Sequence, residues 1–367
     1  MGRIDRRPAK SYVEALWDDE QRLVEAAAKD GWPKAMVRTG LGMHRESWDV
    51  DSIATSLQAE LRALEASKGH RVVWPKRVHH IWPALPGAGL TPLLVGMLLG
   101  LEQVVHCSRR GLFFSRQLAH HAPWELLEDD DSWKEADLVV VSGSDETLDS
   151  VRREVEPQGR VVGYGHRVSM AVVVDGSKEG LDLQQEAQAI ASDVVMWHQK
   201  GCFSVRAVLF CGREERCREF AEVLAQAIAD GERRWDARGV GDAELANRAQ
   251  ALGVAEMGGE VFVEGVGYVR IVDEPFDGSR EAIHSVTVHS VEGPERVREA
   301  LSLATGHVQG VSLSVADEEQ RGPWIEALSR AGATRICKAG RLQTPPAVWW
   351  HDGRPNALSW GRVVTIG

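Results

Sequence analysis

A cysteine stands at position 202 in WHQKGCFSVRAVLF, where a long helical pattern meets Gly201, a good terminator, and an apolar strand pattern begins a few residues on. A thiol at such a turn can open into a cleft, and a lowered pKa there supplies the thiolate that attacks a thioester or aldehyde carbon. On residues alone the plainer reading weighs more, since a free cysteine is most often a small buried apolar side chain. GSDETL at 143–148 follows the apolar run DLVVV, so Ser144 can cap the next helix while that helix's free amides face a phosphate. Asp145 and Glu146 suit the helix dipole and not an anion, which makes a structural cap the simpler reading there. VVGYGHRVSM holds a GxG without the third glycine of a dinucleotide fingerprint, and no P-loop signature occurs. His166, just past that turn, can act as a base or hydrogen-bond donor because imidazole titrates near neutrality, although a histidine beside a glycine turn is more often structural.

Other polar residues carry weaker signals. The histidine pairs at 79–80 and 120–121, with His284, His289 and His307, lack metal-ligand spacing and read as non-metal positions. The five cysteines, Cys107, Cys202, Cys211, Cys217 and Cys337, are odd in number and without CxxC spacing, so they read as reduced thiols. Arg109, Arg110 and Arg116 are near enough in sequence to form a patch for an anionic small molecule, but a solvated helix face explains them more simply.

The elements that position these residues alternate. At 367 residues the chain exceeds the size of a single core, so two domains are expected. Residues 1–67 read as an accessory helical segment, because YVEALWDDEQRLVEAAAKD and DVDSIATSLQAELRALEAS repeat apolar residues at three and four. From 68 to 175, RVHHIW, LTPLLVGMLLGL, QVVHCS, GLFFSRQLAHH, ADLVVVSGS, DETLDSVRREV and GRVVGYG alternate strand with helix. That order implies right-handed crossovers, a parallel sheet and ligand binding at the strands' carboxyl ends, which marks this stretch as the expected nucleotide domain. A second α/β alternation runs from 176 to 344, through the helix KEGLDLQQEAQAIASDVVMWH and the strand SVRAVLFCG, and 345–367 ends in a further strand.

Composition sets the class. Apolar residues make up 43% and charged residues 26%, and no stretch approaches the roughly 20 apolar residues of a membrane span. The first twenty residues lack the apolar centre of a secretory signal, so a soluble cytoplasmic protein is expected. A net charge of −11 argues against nucleic acid as a partner. Thirteen tryptophans beside seven Phe and three Tyr fit core filling better than an aromatic tunnel.

Taken in order, PALPGAGLTPLLVGMLLG, VVHCSRR, VVVSGSDETL, RVVGYGHRVSMAVV, HQKGCFSVRAVLF and QTPPAVWWHDGR resemble the acyl-thioester reductases of bacterial luminescence (LuxC-type), a branch of the aldehyde dehydrogenase superfamily. The likeness covers about residues 75–360 and leaves the first 65 unmatched. It implies two Rossmann-like α/β domains with the active site in the cleft between them, the segment 345–367 returning to the nucleotide domain. It implies that Cys202 is the acylated nucleophile in an NADPH-dependent reduction of acyl-CoA or a carrier-bound acyl group to an aldehyde, with NADH the alternative, and His166, which follows the glycine turn, is the candidate proton manager in that cycle. Gly143, Ser144 and Thr147 match the superfamily's turn and helix start beside the cofactor pyrophosphate, and Gly165 is a further expected cofactor contact. His106 and Ser108 occupy the segment where relatives carry a lysine near the adenosine ribose. By the same analogy a homo-oligomer or an acyl-donor enzyme partner is expected.

Two departures bear on the chemistry that the resemblance implies. Hydrolytic relatives carry a water-activating glutamate where Val161 and Val162 stand, and its absence protects a thioester from hydrolysis, which suits reduction. An asparagine that helps hold the oxyanion is replaced by Ala84, and one such donor is typically worth about 3 kcal/mol. Two further readings stay open at this point: an aldehyde dehydrogenase working oxidatively, and a non-catalytic acyl-binding partner subunit.

Overall fold

The computed structural model describes residues 4–65, 69–176 and 180–366, and the chain divides into two units, 1–166 with 344–367 and 167–343. In the first unit four amphipathic helices come first: α1 (Arg7–Asp18), α2 (Glu20–Lys29), α3 (Lys34–Ser47) and α4 (Val50–Glu65). They are followed by β1 (His70–Val73), β2 (Arg77–Trp82), α5 (Leu90–Leu98), β3 (Glu102–Cys107), α6 (Leu112–Ala119), β4 (Glu125–Leu127), β5 (Leu138–Ser142), α7 (Asp145–Glu154) and β6 (Arg160–Tyr164). Strands β2 to β6 make a five-stranded sheet of order β4-β3-β2-β5-β6, parallel throughout.

The first four helices have a physical task. Helix α5, LTPLLVGML, is apolar on every side and almost wholly buried, and such a helix must be covered all round. It packs on β3, and α1 and α4 pack on it as well, while α2 packs on α6. Buried apolar residues at helical spacing, such as Tyr12, Val13 and Leu16 in α1 and Ile53, Ala54 and Leu57 in α4, supply the covering faces.

The second unit contains β7 (Val168–Val174), α8 (Leu183–Val195), β8 (Val205–Cys211), α9 (Glu214–Arg234), α10 (Asp242–Ala255), β9 (Val261–Phe262), β10 (Val269–Val272), β11 (Val286–Ser290), α11 (Val297–Ala300), β12 (Val308–Val315), α12 (Arg321–Arg330) and β13 (Arg335–Cys337). Its seven-stranded sheet runs β13-β12-β7-β8-β11-β10-β9 and is parallel except for β9. Strand β7, VSMAVVV, is buried along its whole length, as expected of a parallel strand covered on both faces. The division at 166/167 differs from the boundary expected at 175, because β7 pairs with β8 and β12 and so belongs to the second sheet. Helix α8 is shorter than its sequence pattern, which begins at 178, and residues 177–179 lie outside the described residues.

The chain then returns to the first unit. Its last strand, β14 (Arg362–Thr365), pairs antiparallel with β1, and Glu60 of α4 accepts hydrogen bonds from the backbone of Asn356 and Ala357 at 2.9 and 2.8 Å.

Candidate active site

In the first unit the carboxyl edge of the sheet is where a helix amino terminus could meet a ligand. Three helices begin there, and they differ in what already occupies them. The start of α5 is buried at Leu90 among apolar side chains. The start of α6 is taken by Asp30 from the preceding helical segment, whose carboxylate accepts from the amides of Phe113 and Phe114 at 3.2 and 2.8 Å. Only α7 presents exposed polar residues in its first turn, Ser144, Glu146 and Thr147, among these three. Ser144 caps it, with the Thr147 amide donating to Ser144 Oγ at 3.3 Å.

Parallel pairing of β5 with β6 brings the next predicted residues to this turn. Gly143 N–H donates to the Tyr164 carbonyl at 3.2 Å, and the His166 amide donates to Asp145 Oδ1 at 2.8 Å. Gly165 must be glycine, because a Cβ there would run into Asp145 Oδ1. Gly143, Ser144, Thr147, Gly165 and His166 therefore form one cluster around Asp145. His166 is half-buried, and its charge helps to hold Glu146 below the usual carboxylate range, after the hydrogen bonds from Ser144 and from the backbone of Glu146 itself.

His106 and Ser108 lie further along the same edge. In the register of the sheet His106 sits opposite Ile81, and Ile81 opposite Val141, so two strand spacings, roughly 10 Å, separate His106 from β5. Ser108 is exposed just after β3. His106 is not alone: its Nε2 is 3.0 Å from His79 Nδ1 and the rings stack at 5.2 Å. Burial, then the charge of His106, lowers His79 to about 4, and burial lowers His106 against the opposing pull of Asp130, so the pair is neutral at pH 7.

Cys202 lies in the second unit, half-buried, in the turn just before β8, at the amino edge of that sheet. The turn is tightly held. Ser169 Oγ donates to the Cys202 carbonyl at 2.7 Å and accepts from the Gly310 amide at 3.1 Å. Gln199, fully buried, donates through Nε2 to the carbonyls of Val205 and Ser285, both at 2.8 Å. Arg280 donates to the His198 carbonyl at 3.2 Å. These contacts hold three successive non-glycine residues, Trp197, His198 and Gln199, at φ 58°, 52° and 56°, a conformation that costs roughly 1–2 kcal/mol per residue. Strain of this kind concentrates at functional sites. Arg206, four residues past the cysteine, donates to the Gly278 carbonyl at 3.2 Å; burial, then Arg280, lowers its pKa, and the Cys202 thiol pulls it back up. An attraction that favours charged Arg206 favours thiolate at Cys202 equally.

Several of these partners were missed in the sequence. Arg206 carries a faint signal, a lone cation inside an apolar strand run, whereas Ser169, Gln199 and Arg280 carry none. Of the arginines that could have formed a basic patch, Arg109 pairs with Asp129 at 2.8 Å and Arg116 with Glu128 at 2.7 Å. The 120–121 histidine pair meets Asp19, a hundred residues away, with ligand atoms within 4.8 Å of one another, and Asp19 Oδ2 is 2.7 Å from His121 Nε2. Val161 packs into the apolar cluster under α7 and Val162 is buried, so neither position offers a base. Ala84 lies against Gly111, where a Cβ would come within 3.1 Å of its Cα.

Comparison with known proteins narrows the reading. The chain matches the family model for acyl-CoA reductase (LuxC) over residues 120–359. No curated protein matches it. Among solved structures it is similar to a substrate-bound AldH of Staphylococcus aureus, with TM-score 0.70, 14% identity and coverage of 99% of this chain and 89% of that one. It is also similar to an indole-3-acetaldehyde dehydrogenase of P. syringae in complex with NAD+ and IAA, at 0.71, 12%, 100% and 84%. A third is glyceraldehyde-3-phosphate dehydrogenase GapN of Methanocaldococcus jannaschii complexed with NADP, at 0.69, 13%, 99% and 88%. At these identities the likeness shows the aldehyde dehydrogenase fold.

Proposed function

We propose, from the premise that this chain belongs to the acyl-CoA reductase (LuxC) family and is an aldehyde-forming, NAD(P)H-dependent oxidoreductase of acyl thioesters, that Cys202 carries the acyl group during the reaction. The single observation that supports this role is the strained turn, anchored by hydrogen bonds from Ser169, Gln199 and Arg280, that holds a half-buried thiol interacting with the Arg206 guanidinium. The Cys202 thiolate attacks the acyl carbon, a new carbon–sulfur bond forms, and the carrier thiolate leaves and takes up a proton. A nicotinamide cofactor, when bound, supplies the hydride that converts this acyl group to an aldehyde, and the Cys202 sulfur departs as thiolate. Exchange of one thioester for another is nearly balanced in free energy, so positioning and oxyanion stabilisation are the protein's main tasks. The Cys202 amide is the donor expected to serve where Ala84 cannot. His166 is assigned the movement of protons at the reacting oxygen.

The residues of the α7 turn fit a dinucleotide. Gly143 and Gly165 leave room for the backbone to approach a pyrophosphate, and the exposed Ser144 and Thr147 offer hydroxyls, whereas Asp30 already fills the start of α6. His106 and Ser108 are assigned to the adenosine end. NADPH is the expected cofactor, but one observation favours NADH: the neutral His79–His106 pair offers no cation to a 2′-phosphate, and Asp130 and Asp131 lie near it. The protein is taken as cytoplasmic, with acyl-CoA or an acyl carrier as substrate.

Oxidation of NADPH and of NADH is followed with acyl-CoAs of increasing length, beside Cys202→Ala. Aldehyde formation matched by cofactor oxidation in wild type alone is the expected result. Cofactor reduction by aldehyde without added thiol would point to the oxidative enzyme, and no turnover in either direction to a non-catalytic subunit.

A further inference from the structure

Behind the Cys202 turn the second unit buries a hydrogen-bonded carboxylate–histidine pair that the proposed cycle does not use. Glu232, near the end of α9, is fully buried and accepts three hydrogen bonds: from the amides of Val266 and Gly267, both at 2.8 Å, and at 2.8 Å from His284 Nδ1. Burial pushes Glu232 up, but His284 and the two amides outweigh it and hold the carboxyl below the usual range. His284 is also fully buried and adopts φ 54°, left-handed like the run it faces. Its ring lies nearly parallel to that of His198, 13° off at 5.6 Å, and the carbonyl of the next residue, Ser285, is one of the two that anchor Gln199. The Ser285 hydroxyl in turn closes its own loop onto the backbone of Ala282, so this support is rigid.

We infer that Glu232 and His284 are positioning residues for the thioester chemistry at Cys202: the carboxylate fixes the His284 ring, and the ring together with Ser285 keeps residues 197–199 in the left-handed path that aims the thiol. Neither side chain touches the reacting atoms. Burying the Glu232 carboxylate costs desolvation that its hydrogen bonds offset, so the pair is poor evidence for stability in itself and geometric specificity is what it provides here. A nucleophile displaced by an ångström loses up to about a hundredfold in rate. The inference rests on Cys202 being the nucleophile.

The test separates the two claims. His284→Asn keeps a donor for Glu232 and tolerates positive φ, but removes the ring beneath His198. Arg280→Met, at a partly exposed position, releases the His198 carbonyl without opening the core. For wild type and both variants, the rate of Cys202 alkylation by iodoacetamide is measured against pH, with the modified peptide identified by mass, alongside kcat and KM for an acyl-CoA. Each folded variant is expected to lose roughly ten- to a hundredfold in kcat with KM within about twofold, and to need a higher pH for the same alkylation rate. Wild-type kcat and alkylation profile in either folded variant would overturn the inference. A wild-type protein turning over without acyl adduct at Cys202 would instead sink the nucleophile assignment.

Discussion

At the scale of single residues the account depends on why one thiol of five is special. Cys107, Cys211, Cys217 and Cys337 are each pushed up by burial, Cys337 to about 11, and so are poor nucleophiles at neutral pH. Cys337 also meets a buried guanidinium, Arg335, but burial outweighs it, whereas buried Arg206 favours the ionised form of Cys202. Arg206→Met is therefore expected to raise the Cys202 pKa and slow its alkylation at pH 7 by roughly tenfold, checked by quantifying the labelled peptide. None of this was legible in the sequence. The position of Cys202 at a helix-to-strand turn was, but Trp197, His198 and Gln199 give no hint of left-handed backbone, since such residues rarely adopt it without tertiary support. Asp30 and His121 were equally silent, because their partners lie about a hundred residues away in sequence.

Among the elements, those with strong periodicity were readable and their assignment to sheets was not. The strings RVHHIW, QVVHC and DLVVVS are the strands β2, β3 and β5, and Ser144 caps α7 as its type suggests. Strands β6 and β7, by contrast, are apolar runs three residues apart, and nothing in an apolar run says which sheet it joins. Helix α5 explains the first four helices: deleting residues 1–65 should expose its apolar surface and leave a protein that aggregates on expression, seen as loss from the soluble fraction. A milder variant, Asp30→Ala, uncaps α6 and should cost about 1 kcal/mol, lowering Tm by roughly 2–4 °C in a thermal melt. Asp193 of α8 makes a pH-dependent tie. It accepts from the amides of Leu342 and Gln343 at 3.3 Å, and burial, outweighing those bonds, raises it from 3.8 to about 7. A carboxyl raised on folding favours the native state while protonated, so its contribution is complete below pH 4 and lost as pH rises through about 7. Asp193→Asn, which stays neutral, should therefore gain Tm relative to wild type between pH 5 and 8, and a constant difference across that window would refute the tie.

For the whole molecule, two largely parallel sheets and a chain that leaves the first unit and returns to it were foreseeable from alternation and from the resemblance in PPAVWWHDGR, while the covering role of the first helices was not. The described helices include none long and apolar enough to cross a membrane. Cofactor choice is a property of the first unit, and the neutral His79–His106 pair gives a direct expectation: His106→Lys should shift the kcat/KM preference toward NADPH over NADH by about tenfold or more, measured with both cofactors at one acyl-CoA concentration. The most direct test of the central claim is a single turnover without cofactor. Protein mixed with acyl-CoA alone should gain the mass of one acyl group, located on the peptide carrying Cys202 and absent in Cys202→Ala, and adding reduced cofactor should discharge it as aldehyde. An adduct on another residue, or aldehyde made by Cys202→Ala at the wild-type rate, would contradict the account.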